Sequence, residues 1–261
     1  MTAWTLEEHD GVAVLAFRRE PANWMDLVSM GELAEHLAAL AERTDDVRVV
    51  MLTGGLDGYF IAHADLDDLA KLAKGEPVDG DLRSWARALH LLESMPQPTV
   101  AAIDGQAWGG GCETSLACTM RIGSERAHLG QPEVVVGIIP GAGGTQRLPR
   151  LVGGGIGAEL CLSGRIVDAG EARRIGLLNA VLPTEGFRAA AIDWCRQISR
   201  HAGPAVFAAK RAVVEGLRGS LDDGLRLEGQ LFVALNASDD ARARNAAVPR
   251  DASDLGGVGD G

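Results

Sequence analysis

Four short runs limit what this chain can become. "VAVLAF" (12–17), "VRVVML" (47–52), "TVAAID" (99–104) and "NAVLP" (179–183) are rich in Val and Ile and bounded by Gly, Pro or Asp, which reads as strands. Longer helical patterns lie between them. "VSMGELAEHLAALAER" (28–43) sets Leu33, Leu37 and Leu40 on one face and Glu32, Glu35 and Glu42 elsewhere. "LRSWARALHLLESM" (82–95) repeats that style until Pro96 and Pro98 stop it. Strands alternating with helices predict an α/β fold with parallel pairing. Beyond about residue 184 the strand signal ends, and three successive helical stretches follow. The expected organisation is a core over 1–184, a helical region over 185–245, and a small, polar, Gly-rich disordered tail over 246–261.

Charge and cysteine usage narrow the function. A net charge of −11 without a basic stripe argues against a nucleic-acid partner. Cys112, Cys118, Cys161 and Cys195 form no CxxC pair and sit with no His cluster, so no metal site is expected. "MTAWTLEEHDG" lacks the basic and apolar regions of a signal peptide, and no apolar run approaches the roughly 20 residues of a membrane span. The expectation is a reduced, cytoplasmic protein with no membrane partner.

Three segments carry chemistry. In "GQAWGGGCET" (105–114) an apolar strand leads through Gly109, Gly110 and Gly111 into a helical stretch. A strand, a bare turn and a helix start together offer free N–H groups to negative charge. Close helix–strand packing would demand the same glycines. In "AHLGQPEVVVGIIPGAGGTQRLPRLVG" (127–153) Glu133 stands between Pro132 and Val134. Poor solvation there raises a carboxyl pKa and suits it to proton transfer; the alternative is a glutamate capping a turn or pairing with Arg147 or Arg150. The third segment, "DGYFIAHADLDDL" (57–69), passes through small residues into an acidic helix start at Asp65.

"FIAHADL", "GQAWGGGCE", "GQPEVVVGIIPGAGGTQRL" and "SGRIVDAGEARRIGLLNAV", in this order, resemble the crotonase superfamily, and within it enoyl-CoA hydratase, over about residues 5–240. The resemblance implies a spiral of ββα units, a helical C-terminal region that assembles a homotrimer or a dimer of trimers, and an acyl-CoA thioester as substrate with no further cofactor. It implies that Glu113 and Glu133 are the catalytic acids and that the backbone N–H groups of Ala62 and Gly110 form an oxyanion hole. It places Ala22, Met25, Ala64, Asp65, Leu66, Trp108, Gly109, Pro132 and Gly141 along the substrate, with Arg18 and Arg19 near the CoA phosphates. For Met25 and Trp108 ordinary core packing is the alternative.

The implied reaction is addition of water to a trans-2-enoyl-CoA. The same site could serve a Δ3,Δ2-enoyl-CoA isomerase, a thioester hydrolase, or a non-catalytic CoA-binding scaffold. Departures from the pattern are His63 where glycine is common, Thr119 in "CTMR", and "ARNAAV" with a Gly-rich finish at the tail. The last puts intersubunit CoA contacts in doubt, leaving Lys210, Arg242 and Arg244 as stand-ins.

Overall fold

The computed structural model describes residues 2–247. Its strands are β1 (Trp4–His9), β2 (Val12–Phe17), β3 (Trp24–Met25), β4 (Val49–Gly54), β5 (His63–Ala64), β6 (Thr99–Ile103), β7 (Gln106–Trp108), β8 (Met120–Ser124), β9 (His128–Gly130), β10 (Ile166–Asp168) and β11 (Ala180–Leu182). Its helices are α1 (Leu27–Ala41), α2 (Leu66–Ala73), α3 (Ser84–Ser94), α4 (Gly110–Ala117), α5 (Gly144–Val152), α6 (Gly154–Ser163), α7 (Ala169–Arg174), α8 (Phe187–Ser199), α9 (Gly203–Gly216), α10 (Leu221–Asn236) and α11 (Asp239–Ala247). A short 3-10 helix spans Pro132–Val136.

All four expected strands stand in one sheet, ordered β1-β2-β4-β6-β8-β11 and parallel except for the β1–β2 pair. The chain advances by one strand of this sheet per turn. After each of β2, β4, β6 and β8 it leaves the sheet through a short strand (β3, β5, β7, β9) that pairs outside it, β3 with β5 and β9 with β7 and β10. That is the ββα spiral.

The apolar runs are unbroken because both faces of the sheet are covered. Ala13, Leu15, Phe17, Leu52 and Ile103 face a large core with α1 and α3, while Val12, Val14, Met51, Val100 and Ile122 face a second core with Phe187, Ile192 and Cys195 of α8. Each such side chain contributes about 2 kcal/mol on burial. Helix α8 therefore belongs to the sheet. Two compact units divide between Phe207 and Ala208.

The sequence reading passed over β1. Only Trp4 of this edge strand is buried, and its exposed Glu7 and Glu8 mask the alternation. A signal existed in Asp10–Gly11, both at positive φ (49° and 82°), the two-residue hairpin turn that "DG" favours. Residues 65–95 form two helices, α2 and α3. Of the tail expected to be disordered, residues 246–247 end α11, and 248–261 lie outside the described residues.

Asn23 ties the first spiral turn together. It is fully buried at φ 55°; its Nδ2 donates to Phe17 O (3.0 Å) and Phe60 O (2.8 Å), and its Oδ1 accepts from Arg19 N. Asn23→Ala strands two buried carbonyls and should cost about 3 kcal/mol. A urea midpoint equal to that of the parent chain would refute this.

Candidate active site

The three glycines before Cys112 have three separate causes. Gly109, the N-cap of α4, sits at φ 50°, ψ −121°, a region open essentially to glycine alone. A Cβ on Gly110 would lie 2.7 Å from Trp85 Cη2 and 3.3 Å from the Ala64 nitrogen. One on Gly111 would lie 1.9 Å from the Ile61 carbonyl oxygen. Helix α4 thus docks its bare first turn directly on the segment around β5.

That docking brings two amides together. Gly110 opens α4, so its N–H has no intrahelical acceptor. On β5 the ladder bond to β3 is made by Asp65 N–H, which donates to Met25 O at 2.9 Å. The neighbouring Ala64 nitrogen lies beside Gly110, 3.3 Å from where a Cβ on that glycine would stand. Ala62 does not share this position. Its N–H donates to Asn23 O at 3.0 Å, and the residue is fully buried behind the site. The N–H expected as a donor at Ala62 is thus already engaged, and the amide nearest Gly110 is that of Ala64.

Glu113 comes one helical turn after Gly109 and is 3% exposed. Its Oε1 accepts from Ala142 N (2.7 Å) and Gly144 N (2.8 Å), the start of α5, where a negative charge is favoured. Burial nevertheless pushes its pKa up, and those N–H groups and Arg147 oppose the rise only in part. Arg147 fixes the loop by bonding Ala142 O and Glu93, and Arg150 bonds Gln146. Neither arginine pairs with Glu133.

Glu133 rides on the 3-10 helix, its Oε1 against Gly109. Burial, reinforced by the charge of Glu113, raises its pKa to about 7. With its amide turned so that the NH2 faces the carboxylate, buried Gln131 donates to Glu133 Oε1 at 2.9 Å.

Both acids line one cavity of about 520 Å3, a size ordinary for small-molecule sites. Of the residues expected along the substrate, Ala64, Leu66, Trp108, Gly109, Pro132 and Gly141 line it as well. Met25 does not: at 1% exposure it is a core residue. Nor does Asp65, which caps α2 through Asp67 N and pairs with Arg19. Ala22 lies in the turn before β3 and outside the lining. Arg18 bonds Glu20 and Gly55 O at the surface. His63 is at the cavity wall, stacked on Trp24 with Nδ1 bonded to Ala64 O (2.7 Å). Thr119 exchanges hydrogen bonds with Thr99 at the foot of β6.

Residues 7–248 match the sequence profile of a family described as enoyl-CoA hydratase/isomerase. The chain belongs to that family. It is 36% identical to the crotonyl-CoA hydratase of Syntrophomonas wolfei over 91% of both chains. It is 34% identical to the short-chain-enoyl-CoA hydratase of Clostridium acetobutylicum, over 91% of this chain and 90% of that one. The crystal structure of an enoyl-CoA hydratase from Bacillus anthracis superposes with a TM-score of 0.86 at 35% identity, covering 94% of this chain and 95% of that one. The spiral is thus the fold of the enoyl-CoA hydratase/isomerase family.

Sequence reasoning missed Trp85 of α3, whose ring touches the Gly110 position, and Ala142 and Gly144, which hold Glu113. "PGAGG" was the available signal for the latter pair: a glycine turn into a helix is an anion site, and here the anion is Glu113 itself.

Proposed function

We propose that this chain is an enoyl-CoA hydratase that adds water across the 2,3-double bond of a trans-2-enoyl-CoA. The observation that carries this reading is the approach of the Ala64 and Gly110 amides in the cavity that holds both Glu113 and Glu133. The thioester oxygen accepts from the two N–H groups, which take up the charge of the enolate as it forms; one such donor is worth about 3 kcal/mol. Glu113, ionised against the start of α5, takes a proton from water as the water oxygen bonds to C3. Glu133, whose pKa raised to about 7 lets it carry a proton into the neutral range, delivers that proton to C2. The step is redox-neutral: it ends with Glu113 protonated and Glu133 ionised, exchange of one proton with solvent resets the pair, and CoA serves as carrier.

Incubated with crotonyl-CoA, the purified protein should bleach the conjugated enoyl absorbance and yield a product heavier by one water. A 3-enoyl-CoA product would mark an isomerase instead, free CoA a thioester hydrolase, and unchanged crotonyl-CoA would reject all three.

The chain works as a homotrimer or a dimer of trimers in the cytoplasm in this proposal. Support comes from α10, where Leu221, Leu225, Phe232 and Val233 are each more than half exposed within their unit. Light scattering that returned a monomeric mass would exclude the assembly. Among the described residues no helix is long and apolar enough to cross a membrane.

A further inference from the structure

Trp108 is the last residue of β7 and lines the cavity one residue before the Gly109–Gly110 turn. Its indole nitrogen does not face the cavity. It donates to His128 Nδ1 at 3.0 Å, the rings lying 5.5 Å apart and tilted by 51°. His128 is on β9, parallel to β7 and two residues before Gly130, the register partner of Trp108; it is half-buried and lines no part of the cavity. Two consequences follow from the chemistry of the pair. An indole N–H can only donate, so His128 must offer a lone pair on Nδ1 and carry its proton on Nε2. With the polar edge of the indole tied outward, the surface left toward the cavity is hydrocarbon. Trp85 supplies a second indole, whose ring reaches the Gly110 position. Leu66, Leu69, Val135 and Ile139 continue the lining, and no Lys or Arg belongs to it.

We propose that His128 is a positioning residue for acyl selectivity: by holding the Trp108 indole it sets a fixed apolar wall beside the thioester, which favours compact uncharged acyl groups over bulkier ones. The inference rests on the acyl-CoA reading of the cavity. Freed from His128, the indole can turn about its side-chain torsions, and the wall yields to longer chains. A glutamine at 128 could accept the same N–H through Oε1 and keep the wall in place.

The test compares His128→Leu and His128→Gln with the parent chain. Binding of butyryl-CoA and octanoyl-CoA is measured by calorimetry, and kcat/KM for crotonyl-CoA and trans-2-octenoyl-CoA by enoyl absorbance. The expected result is a shift of the C4-to-C8 ratio by at least about fivefold toward C8 in His128→Leu, with the parent ratio kept in His128→Gln. The Trp108 indole N–H resonance should move in the leucine variant alone. An unchanged ratio in His128→Leu with a displaced indole resonance overturns the proposal, as does an equal shift in both variants, which marks a merely structural role. Should His128→Leu fail to fold, Trp108→Phe, which keeps a ring and removes the N–H, must show the same shift toward C8. Acyl-CoA binding without hydration would remove the hydratase reading and leave this one standing on the calorimetric ratio. Absence of acyl-CoA binding would remove both.

Discussion

Glu133→Gln should lower kcat for crotonyl-CoA hydration by about a thousandfold with little change in KM, the scale of losing a positioned proton donor. The amide keeps the shape of the side chain and cannot deliver the proton that the proposed reaction places on C2. The parent enzyme's kcat/KM should decline as pH rises through about 7, where Glu133 loses its proton, and this limb should vanish from the residual activity of the variant. Stability gives a second, independent sign. The folded-state pKa is raised from 4.5 to about 7, so the native state holds a proton in that window which the unfolded chain has released. The stabilising contribution is therefore complete below about pH 4.5 and lost as pH climbs through about 7. Above pH 7 the parent bears the cost of a partly buried carboxylate, and the variant should be more stable by roughly 2 kcal/mol, discounted for solvent access. Urea midpoints that coincide at pH 5 and pH 8.5 in both proteins would show that Glu133 is solvated.

Gly111→Ala should unfold or cripple the protein although the residue does not line the cavity. Its Cβ would meet the Ile61 carbonyl oxygen at 1.9 Å and carbon at 2.8 Å, and neither can rotate aside. Helix α4 would have to withdraw from β5, at about 3 kcal/mol or more. The Gly110 amide would withdraw with it, and a displacement near 1 Å at a reacting centre costs about a hundredfold in rate. Gly155→Ala in α6 is the control, since a Cβ there meets nothing within 4 Å. It should be neutral or stabilising by a few tenths of a kcal/mol. Equal effects of the two substitutions on the urea midpoint would defeat the packing argument.

Much of this was legible in sequence because the relevant forces are local or periodic. Unbroken runs such as "VAVLAF" required burial on both faces, and the strand–glycine–helix order around Gly109 pointed to a close backbone approach, by a ligand or by a packed strand. Errors arose where the answer depends on a distant partner. Ala62 and Ala64 are both small and both precede a helix; what separates them is Asn23 O, far back in the chain, which takes the Ala62 N–H. Met25 and Trp108 are both large and apolar, and only the direction of β3 and β7 sends one to the core and the other to the cavity. Trp85 lies on a helix without a motif, so nothing in its neighbours announced that its ring ends at Gly110.

The paired donors are peptide groups, which ties them to the architecture and not to any codon. Point substitutions can erase Glu113 or Glu133 one at a time, but few can delete the Ala64 or Gly110 amide without dismantling the spiral around it. On the proposed reading, a lineage drifting away from its ancestral activity would shed its acids first and keep the paired amides, ready for new side chains to exploit.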